Sequence, residues 1–204
     1  MSEGKRLRLS VLAGLLGPFL LGSVIAALTI VERDFMRSIG WRLQAPLDWP
    51  SGLALGPYGW MMTLTFFLCG LMIPLFASGL RLGLPRSRLA DTSIWLLVLA
   101  GVGLIGLISP TDRTLQTTPR TWHGILHDAS FVVIGLTLMP AMVLLGFVFR
   151  RDKRWKNLAV YTWITVALAI PTFWIKGFAF YIFLLAILVW CEVIALRLRS
   201  IALK

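Results

Sequence analysis

The stretch LSVLAGLLGPFLLGSVIAALTIV, Leu9 to Val31, runs for 23 residues without a charge. About 20 such residues are enough for a helix, rising 1.5 Å per residue, to cross roughly 30 Å of hydrocarbon. Lys5, Arg6 and Arg8 precede the run, and Glu32 and Arg33 follow it at once. A secretory signal has the same order of parts, but its apolar region is only about 7–15 residues long and a small-residue cleavage site follows. This run is longer and no A-x-A pattern closes it, so it reads as a retained first span.

Five further apolar blocks follow, at Trp60–Leu80, Ser93–Ser109, Ile125–Phe149, Leu158–Ile175 and Phe178–Leu196. In lipid the backbone has to satisfy its own hydrogen bonds, so each block is expected to be a helix. The fifth and sixth are separated only by Lys176 and Gly177, yet together they are too long for one crossing. Pro171 and Gly177 supply the break for a tight hairpin. The expected fold is therefore all-α: one polytopic domain over residues 1–204, a bundle of six transmembrane helices. The composition agrees, with 58% hydrophobic residues, 14% charged residues and a mean hydropathy of +0.83. A soluble chain of this size needs far more polar surface.

The net charge of +11 would suggest nucleic acid in a soluble protein, but here the cations sit at the ends of apolar blocks. No basic stretch is interleaved with aromatics in a soluble module, so no nucleic-acid partner is expected. With the amino terminus placed inside, the inner segments hold 14 Lys and Arg and the outer segments 6. That bias puts both termini in the cytoplasm. Most acids fall on the outer side: Glu32, Asp34, Asp48, Asp112 and Asp128. The two cysteines, Cys69 and Cys191, lie inside apolar blocks and read as small core residues.

Two outer loops stand out. The first, from Glu32 to Pro57, is too apolar for a solvated linker and is expected to lie on the interface or fold over the bundle. Its Trp41 and Trp49, with Tyr58 and Trp60 just beyond, suit an aromatic belt. The second, from Pro110 to Thr121, leads into the only two histidines of the chain, His123 and His127. Thr118 before Pro119 looks like a helix start, with Thr as cap and Pro in the first turn. The histidines are then four residues apart on one helical face, and Asp112 is near enough in sequence to fold back over them.

Three readings compete for this constellation. Both imidazoles with Asp112 or Asp48 would suit a divalent metal such as zinc, although the glutamate of an H-E-x-x-H site is replaced by Gly124. A His–Asp pair would suit acid–base chemistry or ligand binding near neutral pH. The third reading is structural, with polar groups pinning a helix end to a loop. A haem is not expected, because two histidines one turn apart on one helix cannot lie on opposite faces of the iron. No nucleotide is expected either. Gly101, Gly103 and Gly106 spell G-x-G-x-x-G in mid-span, where small residues let helices approach. Glu192, inside the last block, is expected to pair with Arg81 or Arg197.

GPYGW at Gly56–Trp60, PTD at Pro110–Asp112 and TWHGILH at Thr121–His127 together resemble domain-of-unknown-function family 998. That resemblance implies a six-span membrane protein of a prokaryotic inner membrane, with these motifs near one face, and no particular activity. The expected site is a polar pocket at the outer mouth. Asp112, His123 and His127 form its floor, Tyr58 and Trp60 its wall, and Asp48 a lid contact. It would bind a small polar ligand or a lipid headgroup. The alternatives are a membrane-embedded, metal-assisted lipid hydrolase or transferase with Asp112, His123 and His127 as catalytic candidates, and an accessory subunit of another membrane protein. Expected partners are membrane lipids, and either a membrane-protein partner or further copies of the chain.

Overall fold

Each of the six apolar blocks contains a helix in the computed structural model, which describes residues 2–40, 49–112, 119–173 and 178–202. Helix α1 is Glu3–Val31, followed by a short α2, Arg33–Ser38. A 3-10 turn, Pro50–Leu55, leads into α3, Gly59–Gly83, and then α4, Arg88–Gly106. Next come α5, Trp122–Arg151, α6, Asn157–Ala167, a 3-10 turn at Ile170–Phe173, and α7, Phe178–Ala202. No strand occurs among the described residues.

Five of these helices, α1, α3, α4, α5 and α7, are long and apolar enough to cross a membrane. The fifth block differs from expectation. Its α-helix stops at Ala167 after 11 residues, about 16 Å of rise and half of a hydrocarbon core. Pro171 explains the stop. A proline has no N–H to give and its ring meets the carbonyl four residues back, which here is that of Ala167.

The helices pack in chain order, α1 on α3, α3 on α4, α4 on α5 and α5 on α6, and α7 returns to α1. Apolar burial gains little when lipid is the solvent, so close backbone approach and buried hydrogen bonds have to hold such a bundle. Both are present. A Cβ on Gly101 would come 2.8 Å from the Gly70 carbonyl oxygen, which fixes the α3–α4 crossing. One on Gly106 would overlap Ser130 of α5. The glycines read from the sequence as sites of helix approach do serve in that way. Between α1 and α3, Ser10 Oγ donates to the Phe76 carbonyl at 2.7 Å. Trp190 Nε1 donates to Thr162 Oγ1 at 2.9 Å between α7 and α6.

One end of the bundle carries the start of α1, the end of α7 and most of the described cations. There Arg81 pairs with Asp91, Arg154 with Asp152, and Arg197 donates to the Arg154 carbonyl. These contacts leave Glu192 without either expected partner, and it makes no hydrogen bond or ion pair among the described residues. At the other end, Met36, Leu53, Met62 and Leu107 belong to a second apolar cluster.

Candidate functional site

Helix α5 begins one turn's width later than the sequence suggested. Thr118 lies outside the described residues, Pro119 is not helical, and the cap is Thr121, whose Oγ1 accepts from the Gly124 N–H at 3.1 Å. The same hydroxyl donates to Asp112 Oδ1, and the Thr121 N–H donates to Asp112 Oδ2 at 3.2 Å. Asp112 is 7% exposed and lies directly over Gly124, where a Cβ would overlap its carboxylate. The Thr121 hydrogen bonds hold the Asp112 carboxyl below the usual aspartate range, helped by the charge of Arg120.

Each imidazole is tied by one nitrogen. His127 Nδ1 lies 2.7 Å from the Ser109 carbonyl, and His123 Nδ1 lies 3.0 Å from the Pro110 carbonyl. A carbonyl can only accept, so both Nδ1 atoms carry the proton. His123 Nδ1 also lies 2.9 Å from Thr121 Oγ1, whose own proton goes to Asp112. Ser109 Oγ donates to the His123 carbonyl at 2.9 Å and closes the ring of contacts. Both Nε2 atoms are without a hydrogen-bond partner among the described residues. His127 is 4% exposed, and His123 is half-buried.

This arrangement uses Asp112 for the cap. Among the described residues, no three His, Cys, Asp or Glu side chains converge to hold a metal ion. Asp48 lies outside the described residues. Tyr58 and Trp60 are at the same end and are 50% and 62% exposed. The Trp122 ring is edge-on to His123, with centroids 5.8 Å apart. Arg120 pairs with Asp128, and both are half exposed. Such a surface pair contributes little.

Sequence reasoning placed Glu32 on the outer side and missed its role. It is 2% exposed at the junction of α1 and α2. Its Oε1 accepts the Tyr58 N–H at 2.6 Å, and its Oε2 is buried against Gly56 without a hydrogen bond among the described residues. Two motif glycines thus do the same job: Gly56 seats Glu32 and Gly124 seats Asp112. The family model for a protein of unknown function (DUF998) matches residues 11–197. The chain belongs to this family. In this DUF998 chain, the GPYGW and TWHG motifs are loop anchors built on a carboxylate lying over a glycine. No curated protein and no solved structure matches the chain.

The two carboxyls respond oppositely to pH. Burial raises the Glu32 pKa, against the opposing effect of the Tyr58 N–H. A raised carboxyl pKa stabilises the fold fully below the unfolded value, and that contribution is lost as pH rises through the folded one. Detergent-solubilised protein should therefore melt at a lower temperature as pH climbs above the ordinary glutamate range. Glu32→Gln, which imitates the neutral acid, should flatten this slope. Melting curves from pH 4 to 8 check it, and an equal slope in the variant would show that other groups are responsible. The depressed Asp112 carboxyl acts in the other direction, losing its contribution only in stronger acid.

Proposed function

We propose that this DUF998 protein is a six-span protein of a prokaryotic inner membrane, with both termini in the cytoplasm. We further propose that its outer face binds a small polar ligand or lipid headgroup through His127 and His123. The observation that carries the reading is the state of the imidazoles. Each has its Nδ1 proton fixed on a backbone carbonyl, so its Nε2 is left to accept a proton or a hydrogen bond. Nearly buried and held by its ring, His127 is pre-organised for one contact. The exposed Tyr58, Trp60 and Trp122 suit the headgroup layer, where a lipid would present its polar end. The 14-to-6 division of Lys and Arg supports the orientation. In this reading the short α6 and the turn at Ile170–Phe173 together make the sixth crossing.

The chain has only two histidines, so imidazole modification is a clean probe. Diethylpyrocarbonate added to right-side-out vesicles should carbethoxylate both, read by mass spectrometry. Glycerol 3-phosphate, phosphoethanolamine or phosphocholine should protect His127 if a headgroup seats there. Modification only from the inner side would overturn the orientation. Unprotected modification by every headgroup compound would overturn the lipid reading. A single cysteine placed at Gln116, in a background without Cys69 and Cys191, should label from outside as an independent check of topology.

A further inference from the structure

At the basic end, α1 and α7 meet closely. A Cβ on Gly14 would come 2.8 Å from the Ala195 Cβ, so the backbones nearly touch there. Toward the start of α1 a cavity of about 570 Å³ is lined by α1 residues and by Arg199 of α7. That volume is within the roughly 300–1,000 Å³ of ligand sites. Its wall is apolar: Leu7, Val11, Leu12 and Leu15 recur three and four residues apart along one face of α1. Its lining also holds two cations, Arg8 from α1 and Arg199 from α7. Neither guanidinium makes a hydrogen bond or ion pair among the described residues. From Arg8 to Leu15 the wall runs about 10 Å down the helix axis. A phosphate on these arginines would therefore leave the upper part of an acyl chain in the apolar part.

We infer that the α1–α7 groove is a site for one anionic phospholipid, its phosphate on Arg8 and Arg199 and one chain along Leu7, Val11, Leu12 and Leu15. The charge pattern selects the occupant. Two unpaired cations beside an apolar trough at a membrane face complement a lipid phosphate, and a net anionic headgroup gains more from them than a zwitterionic one. The surroundings add to this. Lys5 and Arg6 are nearby, and Glu3 is the one carboxylate in the first turns of α1. The site is separate from the histidines at the opposite end, so the two proposals stand or fall independently.

The test uses the full-length protein in zwitterionic detergent with equimolar dioleoyl phosphatidylglycerol and dioleoyl phosphatidylcholine. Retained lipid is counted by native mass spectrometry. Wild type should keep one phosphatidylglycerol with a preference of roughly thirtyfold, the effect of two cations near a membrane surface. The double variant Arg8→Gln/Arg199→Gln should fall to within about threefold of no preference. Arg33→Gln/Arg37→Gln, at the other end, should keep the wild-type ratio. Leu12→Trp, which fills the trough but leaves both arginines, should lose the bound lipid while melting like wild type. A wild-type ratio near one would overturn the proposal, whether the groove proves empty or filled by protein. So would a preference that survives the double arginine variant, or one lost equally in the Arg33/Arg37 control. Displacement by millimolar glycerol 3-phosphate would show that the groove holds a phosphate but no chain, which also overturns it.

Discussion

Trp155→Ala should destabilise the folded bundle by about 3–5 kcal/mol, the range for removing a fully enclosed tryptophan. Trp155 is 0% exposed, in the turn that joins α5 to α6. Its ring stacks on Phe149 with centroids 4.9 Å apart and planes 10° from parallel. Its indole N–H donates to the Gly83 carbonyl at 3.1 Å, which caps the end of α3. One side chain therefore ties the ends of α3 and α5 to the start of α6, where Leu198 of α7 also closes on Gly83. Truncation would open a cavity and leave a buried carbonyl without its donor. Trp155→Phe separates these effects, keeping the stack and losing only the hydrogen bond, at about 1–2 kcal/mol. Reversible unfolding of the two variants in mixed micelles checks the order. Equal losses would mean that the hydrogen bond, and not the packing, holds this junction.

The crossings were legible in the sequence because lipid imposes a length and forbids open backbone, and both constraints leave long uncharged runs such as Leu9–Val31. The close approach of α3, α4 and α5 was legible as well, since Gly101, Gly103 and Gly106 had no other plausible use in mid-span. The shortening of α6 was not legible from hydropathy, which stays high through Leu158–Ile175. Its signal was Pro171, whose effect falls four residues upstream. At the start of α5 the Thr118–Pro119 pattern placed the cap three residues before the observed one, Thr121. Thr121 prevailed through a tertiary contact, the Asp112 carboxylate that its hydroxyl and N–H both reach. Glu32 was hardest to read. A carboxylate after a span looks like an interfacial charge, and only the approach of Gly56, 24 positions later, encloses it. Local pattern found the elements and the polar end, and long-range contact decided which polar groups are open.

Gly124→Ala should show a sign reversal that depends on Asp112. In a helix, alanine ordinarily improves on glycine by about 0.5–1 kcal/mol, because the chain loses less freedom on folding. In this protein the added Cβ would overlap the Asp112 carboxylate. A carboxylate at the end of a loose side chain could swing away at little cost. This one is held by the Thr121 N–H and hydroxyl, and that hydroxyl also caps the helix through the Gly124 N–H. Moving it breaks the cap network, so Gly124→Ala should destabilise wild type by about 1–3 kcal/mol, the usual effect of overfilling a tight site. With Asp112→Ala as the background the obstacle is gone, and the same substitution should become neutral or stabilising. A double-mutant cycle of melting or unfolding measurements gives the coupling directly. Additive effects would mean that Gly124 serves the helix alone and that the carboxylate does not need its space. A reversal would show why the motif has glycine next to His123, where a helix would otherwise favour alanine: the loop that positions both imidazoles is fastened through that gap.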